Sequence, residues 1–166
     1  GGRVTISAVT GCTVITPGGP ARADLLIDGG TIAAIGDAGG TIAADEDHGG
    51  PGGQRLDASG CYVLPGGVDP HCHIGQRLGE YTQLDDYAGA SIAALWGGTT
   101  TVVDAGSSGS NTFPGFRRYV MDTSETRTLA FLHISGMGQL DLEIGELEDI
   151  RWARVDRAVE VGRANP

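Results

Sequence analysis

Apolar and β-branched residues come in short runs through the first third of the chain, each closed by glycine, proline or an Asp-Gly pair. Arg3–Ile6 and Cys12–Thr16 read as strands bounded by Gly and Pro. Asp24–Ile27 and Thr31–Ile35 flank Asp28-Gly29-Gly30, and Asp-Gly supplies the positive φ angles of a tight hairpin turn. Residues 37–55 are glycine-rich and acidic, with no apolar period beyond Ile42, and read as a flexible surface loop that carries His48. Asp57–Gly60 turns into a further strand, Cys61–Leu64. Residues 1–64 are thus expected to form a small β domain of sandwich type.

The pattern changes at Val68, where strands begin to alternate with helices. Thr82 and Asp85 have the spacing of a capping box, and Leu84, Tyr87, Ala88, Ile92 and Leu95 follow at helical spacing up to Gly97-Gly98. Thr99–Asp104 is a β-branched strand. Pro114 suits the first turn of a helix through Phe116, Tyr119, Val120 and Met121. Thr128–Ile134 is a third strand, and an acidic loop leads to a helix over Val155, Ala158, Val159 and Val161. This alternation predicts right-handed βα units on a parallel sheet over residues 65–166, an α/β architecture. Three units do not close a barrel, so a fourth strand is expected beyond Pro166. Open sheet edges and an uncovered apolar face predict self-association of the chain alone.

Composition narrows the chemistry. The 29 glycines and 40% hydrophobic content fit a globular chain with many turns. A formal charge of −10 excludes a nucleic-acid partner, because phosphate neutralisation needs clustered cations. All 11 basic residues are arginine and lysine is absent; Arg117-Arg118 and Arg151, Arg154 and Arg157 stand among acidic neighbours as solvated helix faces. No apolar run approaches the ~18 residues of a membrane span, so no membrane partner is expected. Cys12, Cys61 and Cys72 are odd in number and lack a C-x-x-C pair, which points to a reducing, cytoplasmic setting.

The chemistry concentrates in Val63–His73, an apolar run, a Pro-Gly-Gly break and then His71-Cys72-His73. Residues two apart share a face of a strand, so His71 and His73 can point at one site while Cys72 points away to be buried against a helix. Two imidazoles at the end of the first parallel strand make half of a divalent metal site. Ser107-Ser108-Gly109-Ser110 lacks the G-x-S-x-G elbow of a serine nucleophile.

A small β domain followed by LPGGVDPHCH resembles the start of the amidohydrolase superfamily and its x-D-x-H-x-H first barrel strand. VVDAGSSGSNTFPGFRRYV and LAFLHISGMG are similar to the amidohydrolase/deacetylase branch of the dihydroorotase-like enzymes, whereas LPGGVDPHCHI with GGTTTVVD also resembles dihydropyrimidinases and hydantoinases. The resemblance implies the first three βα units of a (β/α)8 TIM barrel and a cytoplasmic metal-dependent hydrolase of C–N bonds other than peptide bonds. Its substrate would be a small molecule, an N-acyl compound or ester of a small acid; the alternatives are a hydantoinase-type cyclic-amide hydrolase and a non-catalytic remnant. His71 and His73 would bind the more buried of two metal ions, zinc in most members, and the complete enzyme can be a homo-oligomer. The bridging carbamylated lysine, the strand-five and strand-six histidines and the general-base aspartate are implied beyond Pro166. No catalytic residue is therefore assigned within the chain. The resemblance implies that a bound metal would ionise water near neutral pH and polarise the carbonyl. With two histidines alone the chain should bind metal weakly and catalyse little.

Three further residues are candidates for substrate contact. Asp104 ends the second strand and can line the pocket, orient a ligand or cap its loop. His133 ends the third strand, as a substrate contact or a satisfied strand-end histidine. Arg77 can clamp a carboxylate bidentately, although relatives that do so place arginine two residues after the second histidine, here Gly75. Asp69, before Pro70, is expected to hold the strand end through backbone hydrogen bonds.

Overall fold

The computed structural model describes residues 5–37, 53–73, 77–78, 81–82, 87–139 and 147–166. The chain divides into two compact units, Gly1–Pro65 and Gly66–Pro166.

The first unit is a mixed five-stranded sheet of β1 (Thr5–Thr16), β2 (Gly19–Asp28), β3 (Thr31–Asp37), β4 (Gly53–Asp57) and β5 (Tyr62–Val63). Sequence reading expects two strands before residue 17; the structure has one. It runs through a break in register between Val9 and Cys12, where Gly11 takes φ +72°. The buried Asp24 accepts the Gly11 N–H at 2.8 Å, so that donor is satisfied within the bulge. The β2–β3 hairpin forms as expected, with Gly29 (φ +56°) and Gly30 (φ +81°) as its two central residues and Asp28 paired with Thr31. The left-handed positions are therefore Gly-Gly rather than Asp-Gly.

The expected loop 37–55 is too long at both ends. Asp37 closes β3, and Gly53–Arg55 open β4, which pairs in parallel with β1. Pairing to a long central strand outweighs the missing apolar period, as tertiary context often does for strands. Residues 38–52, with His48, lie outside the described residues. Cys12, Val14, Ala23, Leu25 and Ala58 form the core of this unit, with Val9 and Val63 packed on it.

The second unit begins with β6 (Gly67–Cys72) and a short hairpin, β7 (Arg77–Leu78) with β8 (Tyr81–Thr82). Then come α1 (Tyr87–Trp96), β9 (Thr99–Asp104), α2 (Phe113–Tyr119), β10 (Arg127–Ala130) and α3 (Val155–Ala164). Strands β6, β9 and β10 form a parallel sheet with β9 in the centre. The strand–helix alternation read from the sequence is thus present as an α/β unit.

Local differences have local causes. Thr82 pairs with Arg77 on β8 instead of capping a helix, and Leu84 and Asp85 lie outside the described residues. Gly98, at φ +82°, ends α1. That helix buries Ser91, whose hydroxyl donates to the Ala88 carbonyl at 2.8 Å and accepts the Glu125 N–H at 3.0 Å, while Ile92 and Leu95 stay exposed. The third strand stops at Ala130, four residues before the expected end, because the chain turns and the His133 N–H donates to the Ser108 carbonyl at 3.0 Å. Among the described residues β6 and β10 each pair on one side only, and Val68, Leu129 and Phe131 are exposed. No helix among the described residues is long and apolar enough to cross a membrane.

Candidate metal-binding site

The site is built where β6 ends beside β9. Asp69 faces Val102, but the next pair is Cys72 with Asp104, so three steps on β6 match two on β9. Pro70 has no N–H to give the ladder, which accounts for a bulge here. Asp69 bridges it by accepting the His71 N–H at 3.0 Å, the strand-end role read from the sequence.

The bulge still brings the two imidazoles together. The ring centroids of His71 and His73 lie 5.4 Å apart with planes inclined at 73°. Two imidazoles sharing one tetrahedral zinc through bonds of about 2.0–2.1 Å place their centroids about 5 Å apart. The observed separation is close to that value. Among the described residues no cluster of three or more His, Cys, Asp or Glu side chains supplies a fuller donor set.

Cys72 turns elsewhere, its thiol donating to the Val103 carbonyl at 3.4 Å. Burial first, then the charges of Asp104 and Asp69, push that thiol up to about 11. It stays protonated near neutrality.

Behind His73 stands a residue that sequence reading left in an unassigned loop. Ser107 Oγ is 3.0 Å from His73 Nδ1, and the Ser107 N–H donates to Asp104 Oδ1 at 2.8 Å. Asp104 is 0% exposed, and its Oδ2 has no hydrogen-bond partner among the described residues. A strand-end Asp with Ser three residues later was the available signal, since that spacing closes a capped turn.

Burial raises the Asp104 carboxyl above its ordinary value, against the hydrogen bonds from Ser107 and the charge of His73 that lower it. A carboxyl with a raised folded pKa binds its proton more readily in the folded state. Its contribution is full below the unfolded pKa and is lost as pH rises through the folded one. The stability of the wild type relative to Asp104→Asn should therefore fall as pH climbs above 3.8 and then level off. Urea melts of both proteins across the acid range check this.

The loops after β9 and β10 hold this arrangement in place. Gly109 bridges His133, Asn111 N–H donates to the Gly136 carbonyl at 2.8 Å, and Gln139 N–H donates to the Gly106 carbonyl at 3.1 Å. Thr112 Oγ1 accepts the Gly109 N–H and donates to the Met137 carbonyl, both at 2.9 Å. His133 lies in this interlock, half-buried, its Nδ1 accepting the Ser135 N–H at 2.9 Å. The neutral ring then carries its proton on Nε2. Arg77 sits on β7, paired with Thr82.

Comparison with known proteins follows the same outline. No family model matches the chain. It is 38% identical over 139 residues to a deacetylase of Agrobacterium fabrum, which covers 82% of this chain and 31% of that protein. It is 44% identical over 92 residues to a D-hydantoinase of Geobacillus stearothermophilus, covering 55% of this chain and 18% of that protein. The crystal structure of a dihydroorotase superposes with a TM-score of 0.67 at 29% identity, over 95% of this chain and 39% of that one. The chain belongs to the amidohydrolase superfamily. This amidohydrolase chain spans less than a third of the length of both curated proteins. The superfamily is metal-dependent, which agrees with a donor pair spaced for one ion.

Proposed function

We propose that this chain carries the first metal-binding strand of a hydrolase that cleaves an amide, N-acyl or related ester bond of a small acid. The observation that carries the reading is the His71–His73 pair, at the end of a parallel strand with rings spaced for one divalent ion. In this reading the second unit is the first three βα units of a (β/α)8 barrel, and the five-stranded sheet is a layer of a sandwich-type domain. In this reading this chain supplies two of the ligands, and with no lysine in its sequence it does not supply a bridging one. A divalent metal, zinc by its fit to imidazole donors, supplies a Lewis acid and a water ionised near neutral pH.

This chain's residues have distinct tasks. His71 and His73 hold the ion, and Asp104 and Ser107 stand behind His73 rather than in contact with substrate. His133 offers an Nε2–H donor for a substrate oxygen. Arg77 pairs with a substrate carboxylate. The hydantoinase reading is favoured by the 44% identity to a D-hydantoinase, and the acyl-acid reading by the match to a deacetylase over 82% of the chain.

The zinc-loaded, full-length protein should hydrolyse N-acetyl or O-acetyl acids faster than hydantoins. Faster hydantoin opening would select the second reading. No turnover of either class at full metal occupancy would overturn both.

A further inference from the structure

Ser107 joins a buried carboxylate to one ring nitrogen of a proposed ligand. Its Oγ lies 3.0 Å from His73 Nδ1, and its N–H donates to Asp104 Oδ1 at 2.8 Å. We propose that Ser107 is a positioning residue, accepting the Nδ1 proton of His73 and so fixing Nε2 as the nitrogen turned to the metal. The inference rests on reading His73 as a ligand.

The direction of the hydrogen bond follows from what each group can do. A carboxylate only accepts, whereas a hydroxyl has one proton and two lone pairs. Asp104 is fully buried, and its Oδ1 accepts the Ser107 backbone N–H, which holds the serine beside His73. With Nδ1 engaged by the Ser107 hydroxyl, Nε2 is the nitrogen open to a metal, and a metal-bound Nε2 leaves the ring proton on Nδ1, where a serine lone pair accepts it. Which imidazole nitrogen carries the proton is set by the bond the other makes. Metal-bound histidines are held in this manner, and losing the outer partner typically weakens metal affinity 10- to 100-fold. His133 shows the opposite case within the same loops: its Nδ1 accepts a backbone N–H, so its Nε2 is a donor and not a ligand atom. The two half-buried histidines at the strand ends are thus given opposite tautomers, one to bind and one to donate.

Nitrogen-15 NMR of the metal-free full-length protein, labelled at histidine, reads the tautomer directly at pH 8. His73 is expected to carry its proton on Nδ1. Ser107→Ala removes the acceptor and should move the proton towards Nε2. Zinc titration followed on the His73 ring should then be about 10- to 100-fold weaker in Ser107→Ala, with both readouts restored by Ser107→Thr. A wild-type His73 protonated on Nε2 would overturn the proposal. So would zinc binding that needs both histidines yet is unchanged by Ser107→Ala; in that case the metal reading survives. Zinc binding unaffected by alanine at both His71 and His73 would instead remove the metal reading and with it the positioning role, whatever the tautomer.

Discussion

Replacing His71 and His73 together with alanine should remove tight zinc binding from the full-length protein and lower kcat/KM by about a thousandfold or more, because the remaining donors are too few for a catalytic site. The fold should survive. His71 is exposed, and exposed substitutions away from special features usually change stability by less than about 0.5 kcal/mol. His73 is half-buried, and among the described residues its side chain makes one hydrogen bond, to Ser107, worth about 1 kcal/mol. A modest stability change beside a collapse in zinc affinity separates a ligand role from a structural one. Isothermal titration with zinc, paired with urea melts, gives both numbers.

Gly109→Ala should unfold or strongly loosen the second unit, by about 3 kcal/mol or more, although it adds a single methyl group. A Cβ at Gly109 would fall onto the Ser135 carbonyl oxygen and lie 2.7 Å from the Gly136 carbonyl carbon. Its partner in this approach, Gly138, has φ +80° and an ideal Cβ only 2.5 Å from Gly109 N. Neither side can give way, because the obstacles are backbone atoms and the loops are cross-linked by the Asn111, Thr112 and Gln139 hydrogen bonds. The damage reaches the site, since Ser107 is two residues from Gly109. A lowered urea midpoint together with weaker zinc binding is the expected pair of changes. By contrast Gly115→Ala, where an added Cβ meets nothing within 4 Å, should change neither by much.

The parts legible in the sequence were those that depend on periodicity and local chemistry. β-branched Thr99–Asp104, the Gly97-Gly98 stop and Pro114 near the start of α2 announce their elements in a few residues. The histidine pair was legible because i, i+2 spacing at a strand end has few outcomes, and the Pro70 bulge changed the register without separating the rings. Features set by distant partners were not legible. Strand β4 forms because β1 offers a free parallel edge, and Asp24 is drawn to Gly11 across a bulge. The third strand's early end is decided by Ser108, a residue on another loop. Ser107 escaped for the same reason. Its sequence neighbourhood is a run of small polar residues, and only the folded β9 loop brings it to His73.

Anomalous diffraction at the zinc edge, from crystals of the zinc-loaded full-length protein, tests the central claim most directly. The account predicts a zinc peak bonded to one nitrogen of each of His71 and His73, through Nε2 in the case of His73, at about 2.0–2.1 Å. Zinc peaks that leave both rings beyond bonding distance would contradict it.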